Sequence, residues 1–470
     1  MSKYFFGLLS FFIIGSIIVG IALEEYLLFG LPLLFLGIFL AIVDFRKLFY
    51  LFLASIPLST EILLPGGIGT DLPAEPLMIG LMLIYIVYFL KNGIRIDSYF
   101  FKHPITLLLL LHLFWICFTT LHAAETMISV KFLFAKIWYI LTCYFMAGLL
   151  LKEEKDIRQF IKWVFIPLVV TVSIVFIRHA LVDFSFASIN KVLNPFYRNH
   201  VSYAAILVVF FPYLWYAAAW QSKYTTRWYL SIIVIVFILT AIYLSYTRAA
   251  YISLFLAVIT YFFIRFKLIK LVMGSTVIGL VVGLGFLVSN NKFLDFAPNY
   301  TKAIAHKKFD NLINATANGE DVSTMERVYR WVAGVSMVSE KPWVGFGPGN
   351  FYTHYKAYTV KSFTTYVSGN PEKSGIHCYY LMVAVEQGII GAIIFLSLCF
   401  TTLLKGEQLY HSTTSKSNRR LVLMVTLSLT IIYTLLIVND MVETDKVGTF
   451  FFMGMAMLVN LDRIIEKEKI

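Results

Sequence analysis

Four short stretches carry residues whose types and spacing suit proton transfer or anion binding. In Ser245-Tyr246-Thr247-Arg248-Ala249-Ala250-Tyr251, an arginine sits between two apolar runs with almost no chain separating them. It reads either as an anchor reaching for the bilayer surface or as a guanidinium fork aimed at a phosphate. Asn194-Pro195-Phe196-Tyr197-Arg198-Asn199-His200 offers a second candidate phosphate clamp, Arg198, while His200 reads equally as a surface residue at a helix start. Glu326-Arg327-Val328-Tyr329-Arg330-Trp331 leads into Pro342-Trp343-Val344-Gly345-Phe346-Gly347-Pro348-Gly349-Asn350-Phe351. Glycines tolerate positive φ, so Gly345, Gly347 and Gly349 can turn the chain tightly and bring backbone N–H groups near a ligand. The stretch is not a nucleotide loop, because no Lys-Ser/Thr follows and no strand precedes it. The fourth stretch is Gly375-Ile376-His377-Cys378-Tyr379-Tyr380, followed by Glu386-Gln387-Gly388-Ile389-Ile390-Gly391. A neutral imidazole at His377 can take a proton from a hydroxyl near pH 7; the alternative is a hydrogen-bonded interfacial histidine. Glu386 is a poor partner for it. Nine helical residues make about 2.5 turns, so Glu386 faces the other way, about 13 Å deeper, and reads as an intramembrane structural carboxylate.

The elements that must position these residues are membrane helices. The 470 residues are 59% hydrophobic and 14% charged, against about 45–50% and roughly 25% in soluble domains. Apolar runs near the crossing length of about 20 residues cover Tyr4–Ala22, Tyr26–Val43, Leu48–Leu64, Glu75–Leu90, Pro104–Leu121, Phe132–Leu151 and Phe160–Ile177. Others cover Val201–Trp220, Trp228–Ser245, Ala249–Ile264, Leu268–Val288, Cys378–Leu404, Leu421–Val438 and Val447–Leu461. The expectation is an all-α polytopic bundle of about 12–14 transmembrane helices. The first run follows Lys3 without a small-residue cleavage signal and reads as a retained helix. With the N-terminus placed in the cytoplasm, 22 Lys and Arg fall on the inner side, 7 on the outer side and 10 in the long segment 289–376. That bias sets both termini inside. It also accounts for the net charge of +12 without nucleic acid, as inner positive charge drawn to anionic headgroups. The four cysteines, Cys117, Cys143, Cys378 and Cys399, form no disulfide framework.

The organisation is therefore an N-terminal membrane bundle, 1–288, a large outer segment, 289–376, and C-terminal membrane helices, 377–470. A segment that long is usually functional. Met325, Val328, Trp331, Val332, Val335, Met337 and Val338 predict an amphipathic helix over Thr324–Ser339, with Ser323 and Glu326 forming a capping box at its start.

The order Ser-x-Thr-Arg at a hairpin, Arg-x-x-x-Trp, Pro-x-x-Gly-x-Gly-Pro-Gly-Asn-Phe and His-x-x-Tyr-x-x-x-x-x-Glu-x-Gly-x-x-Gly resembles the O-antigen ligase/polymerase family, over about Ser245–Gly391. Two features depart from it: Cys378 stands where many members have Asn after the histidine, and about fourteen helices exceed the dozen common in ligases. The resemblance implies a GT-C-like, inverting, metal-independent glycosyltransferase without a cofactor, in the bacterial inner membrane with its large loop in the periplasm. It would move a glycan from undecaprenyl diphosphate to a glycan or lipid A–core acceptor. His377 would be the base, and Arg248, Arg327 and possibly Arg198 would bind the diphosphate. Other readings are a protein O-oligosaccharyltransferase of the same family and a metal-dependent oligosaccharyltransferase using Asp440, Glu443 and Asp445. A lipid-linked glycan flippase using Lys131, Lys136, Arg178 or His179 is a further one.

Overall fold

The computed structural model describes residues 11, 15–16, 31–64, 68–93, 97–289, 322–360, 368–370 and 374–468. The expected span Tyr4–Ala22, the first part of Tyr26–Val43 and most of the outer segment before residue 322 lie outside the described residues. The protein is an all-α polytopic membrane bundle. Its long helices are α1 (Leu31–Ser55), α2 (Ala74–Asn92), α3 (Pro104–Leu121), α4 (Thr126–Leu150), α5 (Glu154–Ala180), α6 (His200–Ala218), α7 (Thr226–Tyr243), α8 (Arg248–Arg265) and α9 (Ile269–Val288). Then follow α10 (Val322–Glu340), α11 (Tyr379–Ser412), α12 (Lys416–Leu435) and α13 (Asp445–Lys467). Among the described residues, ten of these are long and apolar enough to cross a membrane.

Burial sorts the helices into a centre and a rim. The apolar windows of α13, α12 and α6 are 89%, 72% and 67% buried inside the protein, whereas those of α2 and α7 are 22% buried and that of α8 28%. On α7, Leu230, Ile233 and Val236 are exposed, and on α8, Ile252, Phe255 and Val258. Their i, i+3 spacing gives each helix an outward apolar stripe, which in a membrane protein meets lipid tails. The central helices instead interdigitate Phe450, Phe451, Phe210, Tyr213 and Leu429 in one core.

Leu48–Leu64 is not one helix. α1 ends at Ser55, Pro57 sits in a single 3-10 turn, and Thr60–Leu64 (β1) pairs antiparallel with Ile68–Leu72 (β2), Thr60 opposite Leu72. A short apolar run such as Thr60-Glu61-Ile62-Leu63-Leu64 fits strand and helix alike, and proline supplies the break. The amphipathic helix forms as α10, with Met325, Tyr329, Ala333 and Met337 buried in a second core against Phe346, Phe351, Tyr355 and Val385; Val335 is exposed. The capping box does not form. Ser323 lies inside α10, where its hydroxyl accepts from Arg327, and Glu326 is turned toward Arg330.

The turns that carry the candidate residues meet at one end of the bundle. Thr247 Oγ1 donates to the His200 carbonyl (3.2 Å), Arg198 faces Glu61 (3.7 Å), Ser59 donates to Asp445, and the His377 N–H donates to Asp440 Oδ2 (2.8 Å). Another charged cluster ties Asp462 to His103 and Lys405, each at 3.0 Å, and Asp97 to Arg463.

Candidate active site

His377 sits in the extended segment that enters α11, in a left-handed conformation (φ 57°). Neighbours pin this segment from two sides. From α10, Arg330 Nη1 donates to the Gly375 carbonyl (3.0 Å) and Trp331 Nε1 to the Ile376 carbonyl (3.1 Å). From the turn after α12, Asp440 takes the His377 N–H, while Leu436 O takes the Tyr379 N–H (2.9 Å). Arg330 is itself buried and paired with Glu326 (3.2 Å), whose other oxygen accepts from Ser368 Oγ (2.5 Å). Arg330 thus braces the backbone, and Arg327, one turn earlier on α10 and only partly buried, acts on His377 through its charge. Burial first, then the charges of Arg327 and Arg330, lower the imidazole pKa to about 3. The ring is neutral at physiological pH and has a free lone pair to accept a proton. Asp440 is shifted the opposite way, raised to about 7 by burial, against the lowering pull of the His377 and Cys378 N–H groups.

The glycine-rich stretch is close to α11 but does not offer its N–H groups to a ligand. Helix α11 breaks at Gly388 (φ 72°, ψ 178°), and the stretch plugs that break. Phe346 N–H donates to Val385 O (3.0 Å), Gly347 N–H to Glu386 O (2.8 Å), and Ile389 N–H to Pro342 O (2.7 Å). Trp115 Nε1 takes the remaining carbonyl, Gln387 O (2.8 Å). Glu386 is fully enclosed and accepts the Phe351 N–H (3.2 Å), a structural role that accords with its facing away from His377. Gly345, Gly347 and Gly349 have φ of 70°, 98° and 79°. A Cβ on Gly345 or Gly347 would strike α11 or Ala123, so close approach as well as φ demands glycine there.

Arg248 is the first residue of α8, which packs along α12, the helix whose last turn meets Tyr379. Arg198 is exposed and stands beside Glu61 on a different feature, a cavity of about 220 Å³. That cavity is lined from β1, β2, the start of α2, residues 196–202 and residues 441–447; its lining includes neither His377 nor Arg248 nor Arg327. His200 is the first residue of α6, its N–H and Nδ1 both 3.0 Å from Asn190 Oδ1.

Three groups here were not assigned to the site from sequence. Asp440 reads in the sequence only as a metal-ligand candidate, and Arg330 and Tyr379 only as members of the stretches 326–331 and 375–380. The structure separates the acidic triplet. Asp440 binds the His377 backbone, Glu443 binds Lys136 and the Tyr379 hydroxyl (2.6 Å), and Asp445 binds Ser59 and Lys446 (3.3 Å). Lys136 is buried in that pairing, and Arg178 and His179 bind the carbonyls of Asn194 (2.5 Å) and Ser185 (3.2 Å).

A bundle of ten described helices long and apolar enough to cross a bilayer, with histidine, arginine and carboxylate side chains on the turns at one end, defines a multi-pass membrane protein. Residues 233–396 match the family model described as O-Antigen ligase. The match spans Arg248, Arg327, the glycine-rich stretch and His377, and it supports an O-antigen ligase family and a glycan-transferring function of ligase or polymerase type. No curated protein matches the chain.

Proposed function

We propose that the protein is an inverting, metal-independent glycosyltransferase of the inner membrane. It moves a glycan from undecaprenyl diphosphate to an acceptor sugar at the periplasmic face. The observation that carries this reading is His377, held by Asp440 within the electrostatic reach of Arg327 and Arg330. The acceptor hydroxyl attacks the anomeric carbon of the donor sugar as the bond from that carbon to the phosphate oxygen breaks. Attack from the face opposite the leaving group inverts the centre. The hydroxyl proton passes to the imidazole, and undecaprenyl diphosphate departs with the bonding pair. Arg327 and Arg248 stabilise the charge that develops on the diphosphate, as fixed donors do in a site with little water.

An imidazole with a pKa of about 3 is a weak base; burial is the largest cause of that value, and the charges of Arg327 and Arg330 come after it. A bound diphosphate offsets those charges and restores proton affinity, since a nearby anion favours the imidazolium. The donor thereby raises the basicity of His377 by the part of the shift that the arginines cause.

The test is reconstitution of the purified protein with a lipid-linked glycan and candidate acceptors, followed by product sizing. A ladder of lengths assigns polymerase, one addition to lipid A–core assigns ligase, and a glycosylated polypeptide assigns protein O-glycosylation. His377→Ala is expected to abolish transfer while the protein stays folded and inserted. Near-normal transfer by that variant removes His377 as the base.

A further inference from the structure

The cavity beside Arg198 is chemically unlike the His377 region. Its lining carries five carboxylates, Glu61 and Asp71 on the hairpin, Glu75 on α2, and Glu443 and Asp445 across the gap. Glu61, Asp445 and Glu443 are paired with Arg198, Lys446 and Lys136, which leaves Asp71 and Glu75 without a cationic partner among the described residues. Its floor is built rather than incidental: Ser59, Asp445 and Lys446 are buried, and Lys446 Nζ is fixed by the carbonyls of Ile56 and Ser59, each at 3.1 Å. Thr70 and Asp71 N–H hold Glu75 at 2.8 and 3.3 Å. The Asp71 carboxylate has no hydrogen-bond partner among the described residues, and Phe196 adds an apolar wall. Such a lining repels phosphate and other anions, and it accepts hydrogen bonds from hydroxyl or ammonium groups. The volume of about 220 Å³ lies below the roughly 300–1,000 Å³ of drug-sized sites and matches a single sugar ring.

The cavity also adjoins His377. Glu443 lines it and accepts the Tyr379 hydroxyl at 2.6 Å, while Asp440, three residues earlier, holds the His377 N–H at 2.8 Å. Three residues of chain span at most about 10 Å. One short turn therefore ties the cavity wall, through Glu443, to the His377 backbone, through Asp440.

From these observations we infer that the cavity is the acceptor subsite and that it selects a neutral or amine-bearing sugar over an acidic one. The inference rests on the glycosyltransferase reading and adds a substrate class to it: the diphosphate binds among the arginines and the acceptor among the carboxylates.

Saturation-transfer NMR on the full chain in nanodiscs tests it, with methyl glucosaminide, methyl glucoside and methyl glucuronide as probes. The first two are expected to bind and the glucuronide not. Loss of charged hydrogen bonds in Glu61→Gln/Asp71→Asn should weaken glucosaminide binding about tenfold and raise the acceptor KM by a similar factor. Glu61→Lys, at an exposed position, should reverse the preference toward glucuronide, which guards against a variant that merely misfolds. Binding of none of the three, equal binding of the glucuronide by the wild type, or an unchanged acceptor KM in an active double variant overturns the assignment. In that last case transfer itself stands. If the glycosides bind as expected but no glycan is ever transferred, the enzyme reading falls and the cavity remains a sugar site.

Discussion

Replacing Asp440 separates anchoring of His377 from direct proton chemistry. A non-glycine residue in the left-handed region costs about 1–2 kcal/mol. His377 adopts it (φ 57°) with its N–H on the Asp440 carboxylate at 2.8 Å. A hydrogen bond to a charged group contributes about 1.5–3 kcal/mol, enough to hold the conformation. In Asp440→Ala that bond is gone, and the backbone is free to relax by the 1–2 kcal/mol it no longer offsets. The productive geometry then falls by a factor of about 5–30, and kcat/KM with it. Asp440→Asn keeps a carbonyl oxygen for the same N–H and should lose only a few-fold. The pH dependence adds a second signature. Burial raises the Asp440 pKa from 3.8 to about 7, so acidification through pH 7 removes charge assistance from the bond, and wild-type activity should fall there more steeply than that of Asp440→Asn, whose remaining pH dependence reports His377. Unfolding cannot mimic this. A carboxyl whose folded pKa is raised stabilises the fold most below about pH 4 and loses that contribution as pH rises through about 7, so acid weakens the bond while this group's effect on stability improves. The assay is glycan transfer in nanodiscs between pH 5.5 and 8.5 (roughly 1.5 units each side of that pKa), with the thermal midpoint measured alongside. An Asn variant as inactive as His377→Ala would show that Asp440 moves protons itself, and a fully active Ala variant would show that it anchors nothing.

Two further substitutions probe other parts of the site. Gly388→Ala places a side chain at φ 72°, ψ 178°, a region essentially reserved for glycine and costing about 1–3 kcal/mol, with its Cβ against the Trp343 carbonyl. A lower thermal midpoint and loss of transfer are expected, whereas Gly80→Ala, which meets nothing within 4 Å, should be silent; equal behaviour of the two would refute the plugged-break description. Arg248→Lys keeps the charge but loses the planar fork, so kcat/KM should drop about tenfold or more. Wild-type rates in a donor titration would instead mark Arg248 as an anchor at the membrane surface.

Much of the fold is legible in the sequence because lipid imposes a blunt rule: a span needs an unbroken apolar run. Pro104–Leu121 is found as read, and α6, α8 and α9 agree to within a residue or two. The rule fails where a run is short. Pro57, Pro65, Pro73 and Pro76 mark Leu48–Leu64 and Glu75–Leu90 as interrupted, one of them open to a re-entrant reading, but the five apolar-rich residues Thr60–Leu64 carry no decisive period, and only the pairing with Ile68–Leu72 reveals a strand. Within the site, sequence spacing locates residues that share an element, such as Arg327 and Trp331 on α10. It cannot locate pairs made by packing. The His377 N–H and its acceptor are 63 residues apart, and Lys136 and Glu443 are 307 apart. Periodicity shows the glycine-rich stretch to be tightly turned but not what its N–H groups face. They face a helix that must open at Gly388, and buried backbone groups need partners.

That last fact changes the weight of the motif. The most distinctive run in the sequence, Pro342–Phe351, closes a gap in α11, so its presence reports a shared architecture more than a shared reaction. In the proposed reaction the chemistry falls to Arg248, Arg327 and His377, all within the stretch 233–396 that matches the O-antigen ligase family model. The groups that would choose an acceptor lie outside it: Glu61, Asp71 and Glu75 before, Glu443 and Asp445 after. In the proposed reaction the donor brings one constant group, a lipid diphosphate, which suits a fixed set of arginines inside a common frame. Acceptor recognition would have to follow whichever glycan is being extended, and a carboxylate-lined cavity set in a hairpin and an interhelical turn suits that task, because substitutions there leave the bundle intact.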